Sequence, residues 1–457
     1  MSASPRNTSF EKLSLTKANK GIFLFMNINT KSLGKGISLG VINIDKYKNN
    51  YFAVNFLLPL NDKNISECNV LANVLLRGTK KHPNVSSLTK HIGMIYDPTV
   101  EVSATKTSVA LIFKLGAYFL GSEYLPKNDS TDIFAEVTSL FSEMLFEPVT
   151  ENGALSVTYT ESEKKRQTDR IKALINNKDS YALSRCNTHM LGSIPAACKP
   201  RGTEEAVNAV TPESLYEMLS FIIKKCPVEA VFAGKFNEKT EKTVLSFLSS
   251  IAEHRSESEM ISSPELVKPV FDDKIIKVTE DISATQGRMI MGFSLPACGK
   301  ETAAHEVFND IFGGSPVSRL FTNVRERLQL CYYCSSAQNL SLDVMYVRSG
   351  INPENTELAK GEILHQLESL KSPENITDEE LHAAKTGIIS TYKATGDSLT
   401  QYASWYINRR ISGRHTDISR CMDSVDKVNK NAVSAVASGV KPVIDYFLNG
   451  TEKDNAE

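Results

Sequence analysis

The sequence predicts an α+β protein made of two similar units. Stretches in which apolar residues alternate at every second position, typical of strands, precede longer stretches with helical spacing, and the second half repeats this order. Both halves close on a similar segment, residues 226–234 and 441–450, in which Pro is followed by a short apolar strand and Gly. Two α+β units of similar length are the simplest interpretation of these observations.

In the first half, alternation predicts strands and an apolar stripe predicts a core helix. The stripe runs from Ile133 to Leu145 and ends before Pro148. A charged segment follows and is predicted to be a solvated helix, and Thr211-Pro212 is a favourable start for the next helix. The predicted strands lie at 37–41, 52–58, 109–115 and 228–234, and the charged helix at 161–177.

The second half is predicted to follow the same plan. Residues 289–295 form a strand that corresponds to 52–58, and a helix follows at 303–312. Thr377 and Glu380 form the pattern of a capping box, which opens a long helix comparable to the charged one in the first half.

Length and composition indicate a globular chain of at least two domains. The chain has 457 residues, which is long for one ordinary domain. A polar stretch at 253–264 separates the two units, so we expect an N-terminal domain at 1–255 and a C-terminal domain at 265–457. Hydrophobic residues make up 41% and charged residues 23%, and 52 basic against 53 acidic residues give a net charge of −1. This balance does not favour nucleic acid or an anionic membrane surface as a partner.

The sequence gives no membrane or secretion signal. Residues 1–20 are polar and lack the apolar core of a signal peptide, and the densest apolar runs are too short to cross a bilayer. We therefore expect a cytoplasmic protein, and the simplest interpretation of its eight cysteines is free thiols. Cys331 and Cys334 form a C-x-x-C pattern within a predicted strand, where residues three apart point to opposite faces, so neither a metal site nor a redox pair is expected.

The segment from Asn69 to Lys81 resembles the active-site helix of the pitrilysin/insulinase family of zinc peptidases. The resemblance lies in the Leu-Leu-Arg-Gly-Thr-Lys-Lys tail, which in active members follows the motif H-x-x-E-H. Counting back from Gly78 in that tail, the two histidines fall on Asn69 and Asn73 and the glutamate on Ala72. An amide oxygen is a poor zinc ligand and Ala cannot move a proton. The resemblance therefore implies a degenerate metal site and no catalysis by this chain alone.

The family's third zinc ligand, a glutamate on the long helix after the first sheet, falls on Arg170 when the segment 170–172 is matched. A cation at that position opposes metal binding. The alternative is that Arg170 is an ordinary surface residue of a charged helix, and both interpretations predict no metal. Elsewhere, His305-Glu306 is the nearest approach to a dyad, and no two of the eight histidines have metal-ligand spacing. We expect no cofactor.

The second half resembles the family's substrate-facing segment. Gly313, Gly314 and Ser315 correspond to its Gly-rich loop, and Arg325 and Tyr332 to an Arg/Tyr pair seven residues apart. In active relatives this pair hydrogen-bonds the peptide carbonyl next to the zinc of the other half. The alternative is that Arg325 pairs with a helix acid and Tyr332 is a core aromatic. The Gly turn is not a phosphate loop, because no G-K-[ST] follows.

The resemblance covers residues 37–450 and implies both a fold and a function. Each domain would be a curved, mostly antiparallel sheet covered by helices, and the chain one half of a clamshell. It is similar to a small bacterial branch that lacks H-x-x-E-H and includes members associated with aminopentanol modification of elongation factor P.

The predicted function is that of a non-catalytic subunit that binds peptide in a heterodimer with an H-x-x-E-H paralogue, with a homodimer as the alternative assembly. Two other functions stay open at this point. One is a peptide-binding or scaffold protein without a protease partner, and the other is a zinc metalloendopeptidase with an atypical site.

Overall fold

Thirteen strands and fourteen α-helices are formed by residues 28–451, the part of the chain that this computed structural model describes. The N-terminal segment 1–20, which gave the expectation of no signal peptide, lies outside the described residues. Among the helices of residues 28–451, none combines the length and the apolar character needed to cross a bilayer. The cytoplasmic location stays a prediction.

The strands form two large sheets and one short hairpin. The strands are β1 Asn29–Gly34, β2 Ile37–Asn43, β3 Asn49–Leu58, β4 Thr99–Lys106, β5 Leu111–Leu120, β6 Thr150–Glu151, β7 Ala154–Leu155, β8 Val228–Gly234, β9 Ile276–Ile282, β10 Gly287–Ser294, β11 Cys331–Asn339, β12 Val344–Ile351 and β13 Lys441–Gly450. The helices are α1 Asp62–Leu75, α2 Val85–Met94, α3 Ile133–Phe146, α4 Val157–Lys172, α5 Lys178–Leu191, α6 Glu204–Asn208, α7 Pro212–Lys225, α8 Glu238–Glu253, α9 Ala303–Asn309, α10 Thr356–Ser369, α11 Asp378–Thr395, α12 Leu399–Ile411, α13 Ile418–Asp426 and α14 Lys430–Gly439.

The two large sheets share one strand order. The first is β1-β2-β8-β3-β5-β4 and the second is β11-β12-β10-β13-β9. Read from β9 to β11, the second sheet has the same strand order as the first sheet read from β2 to β4. Strand β1 is an additional edge strand of the first sheet. In each sheet one pair is parallel, β2 with β8 and β13 with β9, and the other neighbours are antiparallel. The α+β class and the two similar units are thus confirmed, while the domain limits 1–255 and 265–457 stay a prediction.

Most predicted elements lie where local signals place them. The capping boxes of α7 and α11 form, with Thr211 and Thr377 accepting hydrogen bonds from the backbone three residues on. The charged helix begins a turn earlier than predicted, and its C-terminal part becomes a 3₁₀ turn at Ala173–Asn176. The predicted helix at 303–312 is α-helical only to Asn309 and then widens into a π-helix, Asp310–Gly314.

The sheets are buried on both faces, which gives three hydrophobic clusters. One face of the first sheet packs against α1, α3, α7 and α8, with Phe52 in contact with Phe141 and Phe247. Its other face joins the second unit in a shared cluster that includes Ala53 and Tyr406. The third cluster lies on the remaining face of the second sheet. Because buried apolar area is the main stabilising term, the two units form one structure.

Each unit supplies one helix to the other unit's sheet. Helix α5 packs on β10 and β13, and α12 packs on β8 and β3. An ion pair accompanies each crossing: Arg185 of α5 donates to both carboxylate oxygens of Glu280 at 2.6 and 2.9 Å, and Arg410 of α12 donates to Glu229 at 2.6 Å. The hydrogen bonds from Arg185 lower the pKa of Glu280 to about 2.

A glycine on each sheet makes room for the crossing helix. A Cβ atom on Gly40 would lie 2.6 Å from the hydroxyl of Tyr406, and one on Gly292 would lie 2.6 Å from the sulfur of Met190. Any larger side chain at these two positions would push the crossing helix away from the sheet.

Candidate functional site

Helix α1 carries Asn69 and Asn73 on one face because they are four residues apart. Asn61 caps the helix by accepting a hydrogen bond from the backbone of Asn64 at 2.8 Å. The opposite face is apolar and includes Leu71, which is fully buried in the first cluster. The two asparagines therefore stay half-exposed at the helix surface.

Both asparagine side chains are bonded to the helix that carries them. The Asn69 amide donates to the carbonyl of Ile65 at 2.8 Å and more weakly to that of Pro200 at 3.3 Å. The Asn73 amide donates to the carbonyl of Asn69 at 2.7 Å. Each Nδ2 donor is thereby satisfied without a ligand.

Arg170 comes from α4 to the same place. Its guanidinium donates to the amide oxygen of Asn73 at 3.4 Å, so the structure brings together residues that are 97 apart in sequence. The carbonyl of Arg170 accepts from Arg201 at 2.8 Å, which adds a second guanidinium nearby. The surroundings of Asn73 are therefore positively charged.

Ala72 lies between the asparagines in sequence but faces the core, with 2% of its surface exposed. Together, Asn69, Ala72, Asn73 and Arg170 offer two amides, a methyl group and a cation, which do not fit Zn²⁺. Within the described range, no group of three or more His, Cys, Asp and Glu side chains could hold a metal ion either.

One acid of α4, Glu163, is buried and paired with arginine. Glu163 is 2% exposed, and its carboxylate accepts from Nε of Arg77 at 2.7 Å and from Arg166 at 3.4 Å. The sequence analysis gave no role to Glu163, since the spacing from Arg77 carries no signal of the contact. This pair ties the end of α1 to α4.

Gly313 and Gly314 end the first of two π-helical segments, Asp310–Gly314 and Leu320–Arg327, and Ser315 follows them. Gly313 is buried, and a Cβ there would lie 2.7 Å from the hydroxyl of Ser336. Gly314 is exposed, and Ser315 donates to the carbonyl of Asp310 at 3.1 Å. The glycines thus permit close packing of the turn on β11.

A buried arginine that the sequence analysis missed anchors this turn. Arg319 is 9% exposed and donates to the two carboxylate oxygens of Glu380 at 2.7 and 3.0 Å, and to Ser369 at 3.1 Å. Glu380 also accepts from the backbone of Thr377 at 2.9 Å as part of the capping box. Burial opposes ionisation of Glu380, but the hydrogen bonds from Arg319 and Thr377 outweigh it and lower its pKa.

Arg325 and Tyr332 are both exposed. The Arg325 guanidinium lies 4.6 Å from the ring centroid of Phe321, and among residues 28–451 no carboxylate forms an ion pair with it. Tyr332 is 52% exposed. Neither observation fits the alternative of a paired arginine and a core tyrosine. No hydrogen bond joins Arg325 to Tyr332 within the described residues.

Tyr332 protrudes because β11 contains a β-bulge. Cys331 pairs with Ile351 and Tyr333 with Gly350, so Tyr332 is an extra residue without a partner on β12. The bulge also changes the alternation that we expected for Cys331 and Cys334. Their thiols interact, and this hydrogen bond, aided by Ser349 and Arg325, lowers the pKa of Cys331 to about 7 although burial opposes it. The expectation that the two thiols point to opposite faces is therefore wrong.

His305 and Glu306 do not form a dyad. The Nε2 atom of His305 lies 2.8 Å from the carbonyl oxygen of Pro296, and burial lowers the pKa of its ring. The hydroxyl of Tyr392 shares its proton between the two carboxylate oxygens of Glu306, at 2.9 and 2.8 Å. The Nδ1 atom of His305 is buried without a partner among the described residues.

Known proteins resemble both the sequence and the fold. Residues 209–388 match the family model described as the Peptidase M16 inactive domain. In this part the chain is similar to the M16 peptidases. The probable inactive metalloprotease YmfF of Bacillus subtilis (strain 168) is 25% identical to it over 435 residues, which are 92% of this chain and 98% of that protein. The uncharacterized zinc protease YmxG of the same organism is 24% identical over 245 residues, 52% of this chain and 56% of that protein.

Solved structures show the same M16-type fold. A conserved protein from Enterococcus faecalis V583 has a TM-score of 0.84 and 22% identity, with 94% of this chain and 100% of that chain covered. A peptidase M16 inactive domain from Pseudomonas fluorescens has a TM-score of 0.74 and 13% identity, with 94% and 99% covered. The predicted family resemblance and clamshell-half fold are confirmed, and the similarity to YmfF supports an inactive peptidase homologue.

Proposed function

We propose that this M16-related chain is the non-catalytic subunit of a heterodimeric peptidase. The partner would carry an intact H-x-x-E-H helix, and this chain would present Arg325 and Tyr332 to the peptide bound at the partner's zinc. The observation that carries the proposal is the exposed Arg325, a cation without an ion-pair partner in the described part of the chain. A guanidinium kept free in this way can donate two hydrogen bonds to a peptide carbonyl.

The contrast between the two halves adds support. Around Asn73 the side chains offer amides and guanidiniums, whereas the Gly-rich turn is held rigid by the Arg319–Glu380 pair. Rigid support is what a group needs if it is to stabilise charge that develops on a carbonyl oxygen. On this proposal, Arg325 and Tyr332 remain able to act at a partner's zinc, whereas Asn69 and Asn73 no longer bind a zinc of this chain's own.

The test is peptide cleavage by this chain mixed with its H-x-x-E-H paralogue. We expect cleavage by the mixture, none by this chain alone, and a fall of roughly 100-fold or more in kcat for Arg325→Ala combined with Tyr332→Phe. Arg327→Ala is the matched control, because Arg327 lies on the same π-helix and its contact is the exposed pair with Glu362 at 3.5 Å. An unchanged rate with the double variant would reject the role in trans.

The same experiment separates the alternative function of a scaffold. Tight peptide binding by the isolated chain, with no association with the paralogue, would favour a peptide-binding protein that works alone. The link to modification of elongation factor P and the choice between heterodimer and homodimer stay predictions from the resemblance.

A further inference from the structure

A cleft of about 860 Å³ lies between the two units, and apart from Glu306 its lining shares no residue with the site candidates discussed so far. One wall is the turn between β4 and β5, residues 105–108, and the other is formed by α9, α11 and α12. Clefts of roughly 300–1,000 Å³ are the size that small ligands occupy in proteins. The turn from the first unit closes the cleft over the helices of the second.

The charges that line the cleft are unevenly paired. Lys106, Arg409 and Arg414 face two acids, Glu306 and Asp310. Glu306 is engaged, since it accepts from Thr302 at 2.6 Å and from Tyr392, and lies 3.9 Å from Arg409. Within the described residues, its carboxylate forms an ion pair with Arg409 but not with Lys106 or Arg414.

Lys106 donates to the carbonyl of Ala196 at 2.6 Å, so the lining cation with the weakest contact is Arg414. It is partly buried, its single hydrogen bond is a weak one to Ser341 at 3.4 Å, and no carboxylate within the described residues lies within 4.0 Å of it. Burial lowers its pKa and the charge of Arg409 lowers it further, against opposing effects of Cys298, Glu306 and Asp343 that do not outweigh them. Withdrawing a guanidinium from water without an anion is unfavourable, so this geometry fits an anionic ligand.

Other groups in the cleft point to the rest of the ligand. Burial raises the pKa of Asp310, and no cation within the described residues forms an ion pair with it. The side-chain nitrogen of Gln338 is buried without an acceptor. Trp405 and Tyr392 supply aromatic surface, with their rings 6.3 Å apart in an edge-to-face arrangement. The lining thus offers a cation, an acid, an amide donor and aromatic faces.

We propose that this cleft binds a short peptide by its free α-carboxylate. Arg414 would hold the carboxylate in a bidentate contact, Asp310 would face the ligand's ammonium group, and Trp405 would pack against its side chains. A phosphate dianion suits the cleft less, because Asp310 and Glu306 lie in the same lining. This inference concerns the chain alone and does not depend on the proposed partner.

Trp405 makes the proposal directly testable, since it is the only tryptophan in the sequence. The purified chain is titrated with trialanine while tryptophan fluorescence is recorded. We expect a saturable change, and binding weaker by about tenfold or more for trialanine amide, which lacks the carboxylate. Arg414→Gln should weaken trialanine binding by a similar factor.

Arg420→Gln is the matched control, because Arg420 pairs with Glu301 at 2.8 Å and does not line the cleft. It should bind trialanine as the unchanged chain does. Equal affinity of the unchanged chain for trialanine and its amide would overturn the proposal, whether or not the variants fold. Tighter binding of inorganic phosphate than of trialanine would also overturn it.

Discussion

Arg170 places a positive charge next to Asn73. It donates to the Asn73 amide oxygen at 3.4 Å, and its own carbonyl accepts from Arg201. A doubly charged metal ion within about 5 Å of a guanidinium is repelled by several kcal/mol even in a polar environment. Asn69 and Asn73 are poor zinc ligands, and the cation of Arg170 further opposes a metal ion here.

This reasoning predicts that zinc binding is rebuilt most tightly when the charge is also reversed. The variant with Asn69→His, Asn73→His and Arg170→Glu should bind one Zn²⁺ per chain. The same variant with Arg170 retained should bind at least roughly tenfold more weakly, because the cation remains and one ligand is missing. Competition with a chelator measures both affinities, and equal affinities would contradict this account of Arg170.

A second residue-scale prediction concerns Cys331. Its pKa is lowered to about 7, whereas burial raises the pKa of Cys186 and Cys226 to about 12. The thiolate is the reactive form, so iodoacetamide should label Cys331 first, with a rate that rises as the pH passes through about 7. Mass spectrometry after partial labelling identifies the site, and earlier labelling of the half-buried Cys198 would contradict the prediction.

The residues around Asn73 could be placed from sequence because a short motif fixed the register from Gly78. Helical spacing then put Asn69 and Asn73 on one face. The position of Tyr332 could not be predicted in the same way. Its exposure depends on a bulge, which arises from the pairing of β11 with a strand further along the chain.

At the scale of elements, α11 and the Gly-rich turn are coupled through one carboxylate. Glu380 completes the capping box of α11 and accepts hydrogen bonds from Arg319, which follows the Gly-rich turn in sequence. The capping box could be predicted, since its residues are three apart. The contact with Arg319 could not, because it joins residues 61 apart and has no local signal.

Glu380→Gln should destabilise the protein by about 2–3 kcal/mol, because the buried Arg319 loses its counter-ion. Glu379→Gln, in the same exposed first turn, is the control and should change stability by less than about 0.5 kcal/mol. Urea unfolding of both variants measures the difference. Similar values for the two would show that the Arg319 contact adds little.

The same pair gives a pH dependence of known sign. Folding lowers the pKa of Glu380, so its stabilising contribution is present above the pKa of the unfolded chain, about 4.3, and is lost as the pH falls through the folded value. As the pH is lowered from 6 through the pKa of Glu380 in the folded chain, the difference in unfolding free energy between the unchanged chain and Glu380→Gln should therefore shrink. A difference that grows on acidification would contradict this assignment.

At the scale of the whole molecule, two crossing helices join the units. Gly40→Ala should destabilise the protein by about 1–3 kcal/mol, because the new methyl group displaces Tyr406 and its 2.8 Å hydrogen bond to Thr30. Gly361→Ala is the control: Gly361 is exposed on α10 with open space around it, and the substitution should stabilise by about 0.5–1 kcal/mol. Thermal unfolding measures the change in stability for each variant. Equal destabilisation by both would contradict the close packing of Tyr406 on Gly40.

The two similar units could be predicted from the sequence because each half has strand-like alternation followed by helical spacing. The crossing of α5 and α12 was not, since periodicity identifies an apolar face but not the surface that it covers. Cys186 and Met190 of α5, for example, pack against Ile290 and Tyr446 of the second sheet.

Because α5 and α12 each cover the other unit's sheet, the two units depend on each other for folding. If the chain were split between β8 and β9 into two polypeptides, each fragment would lack the helix that seals its own sheet. Neither fragment would accumulate alone, because a sheet face rich in Phe, Ile and Met would stand in water. Co-expressed, the fragments would complement each other and co-purify.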